Sequence, residues 1–319
     1  MNWNGPRSAV VINPAKVVDL DDRRKRICDA LAEAGWPEPM WFETTREDPG
    51  GGQARQAIEA GAEVVFACGG DGTVMACVGA LAGTEVALAV LPAGTGNLLA
   101  ANLGLPDDPA AGVAVAVDGG RRRIDVGMLE KRAFAVMAGM GFDAQLVRDA
   151  PEQLKAWLGW PAYVVSAAKH LRGRPMRVLV RLDDKRPIRR RVRTVLVANV
   201  GRLQGGIPLF ADAEPDDGML DIGLLTPRHL RDWIALGWAV LRKHEKVPRM
   251  EVHRARRVSI VSNRPQPRQL DGDVIEPGRR LTVAVRPRSL WLCVPQPAQA
   301  EDIAEGADEL TEEAQKLAE

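Results

Sequence analysis

"EVVFACGGDGTVMACVGALAG", Glu63 to Gly83, carries three kinds of local signal in one run. The apolar stretch up to Cys68 has strand length, GGDGT at Gly69 to Thr73 interrupts it, and "TVMACVGALAG" resumes with a composition suited to a helix. Reading outward, the same rhythm recurs. Upstream lie "SAVVINP" as strand, "DLDDRRKRICDALAEAGW" as a helix with Ile27, Leu31 and Ala34 at helical spacing, "MWFETT" as strand and "GGQARQAIEAGA" as helix; downstream lies the strand "EVALAVLPAG". Strands too apolar to be half exposed, alternating with helices, predict a doubly wound α/β layer of mostly parallel strands. Ligands in such sheets bind where strands turn into helices at their carboxyl ends.

GGDGT occupies such a place. Its backbone N–H groups fall at a helix N-terminus, which attracts anions. Its glycines admit a phosphate to the main chain, and Thr73 adds a hydroxyl. A second element, "LPAGTGNLLAANLGLP" from Leu91 to Pro106, leaves a strand, turns through Gly94, Thr95, Gly96 and Asn97, and enters a helix near Leu98. Two such turns at successive strand ends would face one crevice. Neither is a dinucleotide fingerprint, because Met75 stands where GxGxxG needs its last glycine, and no GxxxxGK[ST] occurs. On these residues alone a phosphate cradle and a plain strand-to-helix turn both stand.

After about residue 124 the texture changes to short, β-branched, partly alternating runs separated by Gly, Pro and Asp: "RRRIDVGML", "PMRVLVRLDD", "RPIRRRVRTVLVANVG", "MLDIGLLTP", "RRVSIVSN" and "RLTVAVRP". The expectation is an N-terminal doubly wound α/β nucleotide-binding domain over 1–124 and a C-terminal antiparallel β-sandwich over 125–295, whose last strand is free to return to the first domain. Helical inserts are expected at "EQLKAWLGWPAYVVSAAKHL" and "HLRDWIALGWAVLRKH", and an acidic tail over 296–319.

The composition, 46% apolar and 27% charged in 319 residues, is that of a soluble globular chain, and no apolar run reaches the length of a membrane span, so a cytoplasmic protein is expected. Cys28, Cys68, Cys77 and Cys293 form no CxxC pair and read as reduced thiols. The net charge of +1 hides an uneven spread: the tail holds eight acids against Lys316, a charge of −7, which leaves +8 on the body. Basic clusters at Arg121–Arg123, "KRPIRRRVR" from Lys185 and "HRARR" from His253 suit anionic partners, or else serve as solvated strand edges.

GGDGT after a strand, PAGTGN about twenty residues later and the distal "LDGD" of Leu270 to Asp273 together resemble the diacylglycerol kinase catalytic domain family, which includes bacterial lipid kinases and sphingosine and ceramide kinases. The resemblance runs through most of the chain, from "VVINPAK" to the acidic turn "EPDDGMLDI". It implies an ATP- and Mg²⁺-dependent kinase that phosphorylates a lipid hydroxyl. By position, Asn13, Thr45, Gly69, Gly70, Asp71, Gly72, Thr73, Gly94, Thr95, Gly96 and Asn97 would contact ATP, with Asp71 at the metal-phosphate unit. Asp271 and Asp273 fall on the family's DGE element, where a carboxylate accepts the lipid hydroxyl's proton. The acidic turn would hold a structural Mg²⁺ through Asp217 and main-chain oxygens near Glu214 and Met219.

This sequence departs from the family pattern at Met75 and Ala76, where Asn-Glu is usual, at Leu98, at Asp273 in place of Glu, and at Lys16 to Val18. The partner implied is a lipid substrate at the membrane surface, reached by a protein peripheral to the membrane, with Trp157, Trp160, Trp233 and Trp238 on the inserts suited either to the interface or to a core. No nucleic-acid partner is expected, and a homodimer is left open. An NAD kinase-like nucleotide kinase and a non-catalytic lipid- or nucleotide-binding regulator are the alternatives.

Overall fold

A computed structural model describes residues 5–141, 175–203, 207–210, 213–227 and 248–295, with positions 232 and 235. The inserts expected at 152–171 and 229–244, apart from those two positions, and the tail 296–319 lie outside the described residues.

Strands β1 (Ser8–Ile12), β2 (Met40–Glu43), β3 (Val64–Gly69) and β4 (Ala87–Pro92) alternate with helices α1 (Leu20–Glu33), α2 (Gly51–Glu59) and α3 (Asp71–Leu81). Parallel pairing places them in the order β2-β1-β3-β4, so the direction of winding reverses between β1 and β3. Alternation along each strand sorts the side chains. Val10, Ile12, Phe66, Cys68, Ala89 and Leu91 pack with Ile27 and Leu31 of α1, while Val11, Val65, Ala67 and Val90 pack with Ala54 and Ala57 of α2 and Val74, Cys77 and Val78 of α3. A sheet buried on both faces explains why its strands read as unbroken apolar runs. Asp19 caps α1 by accepting the Asp22 N–H at 3.0 Å, and Asp21 and Asp22 set negative charge against the helix N-terminus.

Two further helices follow β4: the short α4 (Leu98–Asn102) and α5 (Pro109–Asp118), which lies beside α1. The sequence reading gave α5 no element, because "AAGVAVAV" shows no polar face. Its signal was the cap: Asp108 accepts the Ala111 N–H at 2.9 Å and Pro109 opens the helix.

The remaining strands are β5 (Gly120–Leu129), β6 (Arg132–Phe134), β7 (Met137–Gly141), β8 (Met176–Leu182), β9 (Ile188–Val192), β10 (Thr194–Ala198), β11 (Arg202–Leu203), β12 (Ile207–Pro208), β13 (Leu220–Leu225), β14 (Met250–Ala255), β15 (Arg257–Leu270) and β16 (Asp273–Val294). Apart from one contact their pairings are antiparallel, as expected for a sandwich. Val178, Val180, Val258, Ile260, Leu281 and Val283 of one layer meet Met140, Val195, Val197, Ile222 and Leu224 of the other in a single apolar core. The exception is the end of β16, where Trp291 and Leu292 pair in parallel with Ala87 and Leu88 of β4, making the two halves one continuous sheet. All four cysteines are unpaired, and Cys68, Cys77 and Cys293 are buried; burial pushes the Cys77 thiol up to about 12, which keeps it protonated and inert.

Candidate active site

The two glycine-rich turns are neighbours because the strands that launch them are neighbours. Gly69 ends β3 opposite Pro92 at the end of β4. Their backbones touch: a methyl added to Gly94 would stand 2.7 Å from the Gly70 Cα. Only glycine permits that approach. Asn97 adopts the left-handed conformation (φ 44°) and its Oδ1 accepts the Gly94 N–H at 3.1 Å, closing GTGN on itself. Asp71 crosses between the turns, with Oδ1 accepting the Leu98 N–H at 2.6 Å. Burial holds its carboxyl above the ordinary aspartate range; the N–H groups of Leu98 and Asn97 oppose that shift, and Asp273 adds repulsion.

Asn13 follows β1 on the other side of β3 and donates from Nδ2 to the Thr73 hydroxyl at 3.2 Å. The buried Thr73 therefore anchors the first turn of α3 to β1. Thr45 sits one strand further out, beyond β2, exposed and engaged in its own turn with Asp48: its N–H donates to the Asp48 carbonyl at 3.0 Å and its hydroxyl accepts the Asp48 N–H at 3.1 Å. Thr95 is exposed at the tip of the second turn.

Sequence reasoning missed Arg23. From α1 it reaches under both strand ends, donating from Nη2 to the Pro92 carbonyl at 2.7 Å and from Nε to the Cys68 thiol at 3.1 Å. The available signal was its spacing: Arg23, Ile27 and Leu31 share one helix face, so an arginine stood among core residues. Arg23→Met is expected to cost about 1–2 kcal/mol, read as a lower urea midpoint with an unchanged m-value.

Opposite the turns stands the tip of the β15/β16 hairpin. Leu270 pairs with Asp273, leaving Asp271 (φ 46°) and Gly272 (φ 90°) as a two-residue loop. Positive φ at both positions matches the Asp-Gly preference of a type I′ turn. "LDGD" is thus a hairpin turn that also delivers two carboxylates, and they have different surroundings. Asp271 is buried; its Oδ1 accepts the N–H groups of Val136 (3.0 Å) and Met137 (2.7 Å) and its Oδ2 that of Ala135 (3.1 Å). Burial pushes its carboxyl up to about 7 against those three donors, with Asp71 adding repulsion. Asp273 is exposed, and a methyl carbon on Gly72 would lie 3.8 Å from its Oδ2. The space between the first turn of α3 and the Asp273 carboxylate is therefore open only because residue 72 has no side chain.

At the acidic turn, Asp217 Oδ1 accepts the Met219 N–H at 2.8 Å and Oδ2 meets Arg254, while Asp216 pairs bidentately with Arg122 at 2.7 Å. Glu214 is exposed. Asp125, which the sequence reading did not single out, accepts the N–H groups of Gly218 (2.6 Å) and Arg288 (2.7 Å), and burial together with repulsion from Asp217 and Asp216 raises its carboxyl. Carboxylate and main-chain oxygens are the hard donor type that Mg²⁺ takes, but here both Asp217 oxygens are engaged, by the Met219 N–H and by Arg254, and Asp216 is engaged by Arg122. Among the described residues no three carboxylate, thiol or imidazole side chains converge as a metal-holding group.

Residues 7–129 match the family model of the diacylglycerol kinase catalytic domain, and residues 135–294, half of the chain, match that of the YegS C-terminal NAD kinase beta sandwich-like domain. The chain belongs to the diacylglycerol kinase family of lipid kinases. As a member of that family it is a phosphotransferase. A "Probable lipid kinase YegS-like" of Chromohalobacter salexigens is 39% identical over 183 residues, 55% of this chain and 57% of that protein. One of Pseudomonas aeruginosa is 30% identical over 290 residues, 83% of this chain and 87% of its own length. Among solved structures, a diacylglycerol kinase from Bacillus anthracis superposes with a TM-score of 0.70 at 19% identity, covering 92% of this chain and 98% of that one. An NAD kinase from Archaeoglobus fulgidus superposes at 0.50 with 13% identity, over 90% and 94%, a likeness of fold alone.

Proposed function

We propose that this lipid kinase family member transfers the γ-phosphoryl group of ATP, as its Mg²⁺ complex, to a hydroxyl of diacylglycerol or a related lipid. The observation that carries the reading is the open cradle between the N-terminal turn of α3 and Asp273. Backbone N–H groups and the helix dipole offer fixed positive potential to a phosphate on one side. The Asp273 carboxylate stands on the other side, its Oδ2 facing Gly72.

In this reading Asp273 orients the acceptor hydroxyl and takes its proton, while Asp271 positions the hairpin tip. Asp71 fixes the second turn against the first. Mg²⁺ would neutralise charge spreading over the phosphate oxygens, and Asp71, between the two turns, is the side chain that would hold it. Asp217, with main-chain oxygens near Glu214 and Met219, is the set that would hold a structural Mg²⁺, with Arg254 giving up Asp217 Oδ2. Among the described residues no helix is long and apolar enough to cross a membrane, so the lipid is met by surface docking in this account.

Gly72→Ala tests the cradle. The methyl makes ordinary contact with Asp273 and alanine favours the helix, so melting temperature is expected to hold or rise. In this reading it crowds the approach of the phosphate to the turn, and kcat/KM for ATP is expected to fall on the order of 10²-fold, the scale of a misplacement of about 1 Å. Full activity in this variant would remove the turn from the phosphate site.

A further inference from the structure

The basic clusters have different fates in the fold. Arg122, Arg123, Arg190 and Arg254 each pair with a carboxylate. A second set does not. On the sandwich layer β9-β8-β15-β16, the side chains that point away from the core include Arg189 and Arg191 of β9, Arg177 and Arg181 of β8, Arg257 of β15 and Arg280 of β16, all exposed. None of the six has a carboxylate partner among the described residues. The other outward positions in this register, Leu179, Ser259, Val261, Asn263, Thr282 and Ala284, add no acid; Asp183, just after β8, spends its Oδ1 on the N–H groups of Arg256 and Arg257.

The cross-strand register sharpens the picture. Arg189 pairs with Leu179, Leu179 with Val261 and Val261 with Arg280, giving one row across four strands with a basic residue at each end and two apolar residues between them. Leu179 is 39% exposed and Val261 36%, which makes them two of the few large apolar side chains left open to solvent among the described residues. The row spans about 15 Å at the usual strand spacing.

We propose that this face docks the protein on anionic phospholipid. Arginines facing outward from four strands exceed what guarding the edge strand β9 requires. The apolar pair between them suits the boundary of headgroups and acyl chains, where a bilayer accepts both kinds of side chain. A second copy of the same face is disfavoured by like charge. The choice of a bilayer as partner rests on the lipid-kinase reading above.

The test is co-sedimentation of the full chain with vesicles of phosphatidylcholine alone and of phosphatidylcholine and phosphatidylglycerol in equal parts. Wild type is expected to bind the anionic vesicles only, and to be released as salt rises from about 0.1 to about 1 M and the Debye length shrinks from ~10 to ~3 Å. Replacing Arg177, Arg181 and Arg191 together by Gln is expected to weaken binding on the order of 10²-fold, at roughly fivefold per arginine. A matched control, Arg7→Gln with Lys25→Gln and Lys131→Gln, is expected to bind like wild type. All six sites are exposed, and an unchanged melting temperature confirms folding. Three outcomes would overturn the proposal: equal binding to both vesicle types, unimpaired binding by the arginine variant, or tighter binding of an RNA duplex that the same variant abolishes. Kinase assay in neutral detergent micelles separates the two readings. If docking is wrong and the activity right, lipid is still phosphorylated there; if the activity is wrong, no lipid is phosphorylated in any presentation while vesicle binding is still measured.

Discussion

Asp273→Asn is expected to lower kcat on the order of 10²–10⁴-fold, the range for loss of a positioned general base, with KM for ATP close to unchanged. The substitution preserves size at an exposed position at the start of β16, and an unchanged melting temperature checks that the fold is kept. It removes the basic oxygen that faces the α3 turn across Gly72. Asp273→Glu, which restores the residue usual in the family, is expected to retain substantial turnover. Steady-state kinetics with saturating lipid reads both. A kcat for Asp273→Asn equal to the parent's would take this carboxylate out of the chemistry.

Asp271→Ala, two residues away, is expected to act on stability first. Alanine leaves the N–H groups of Ala135, Val136 and Met137 buried without their acceptor. At about 1–3 kcal/mol for each orphaned donor, partly relieved by relaxation, a loss of about 3 kcal/mol near pH 5 is expected, measured by urea denaturation with the slope m unchanged. The pH dependence has a definite sign. Burial holds the native carboxyl up to about 7, above its unfolded value, so between about pH 4 and about 7 the native chain keeps a proton that the unfolded chain releases. Wild-type stability therefore falls as pH rises through that window, and the difference from Asp271→Ala narrows with it. A difference that widens with pH would mean that the three donors, and not burial, set the state of this carboxyl. The two aspartates of "LDGD" are thus expected to separate, one reading out in kcat and the other in folding.

The sequence showed the parts of this site that depend on local signals. Apolar strands ending in glycine located the turns after β3 and β4, and an Asp-Gly pair between β-branched runs located the hairpin tip. What it could not show are the contacts between remote segments. Asp71 holds the backbone of Leu98, 27 residues on, and Asp271 holds that of Ala135, 136 residues back. Nothing in the residue type of Ala135, Val136 or Met137 marks them, because their contribution is an N–H that every non-proline residue carries. Arg23 was legible in principle from its helix face, and α5 from its Asp-Pro cap. Asp125 was not, since its partners Gly218 and Arg288 lie 93 and 163 residues away. The outward row Arg189-Leu179-Val261-Arg280 likewise needed the strand register, which sets arginines from "KRPIRRRVR" beside others more than sixty residues downstream.

The central claim is phosphoryl transfer from ATP to a lipid hydroxyl, and product analysis tests it most directly. The full chain is incubated with Mg²⁺ and γ-labelled ATP in the presence, separately, of diacylglycerol, sphingosine, ceramide, glycerophospholipids or NAD, and the products are resolved. Label is expected in a phosphorylated lipid, absent when Mg²⁺ is chelated and reduced to background in Asp273→Asn. Label appearing in NADP and in no lipid, or ATP bound with no labelled product from any acceptor, would contradict it.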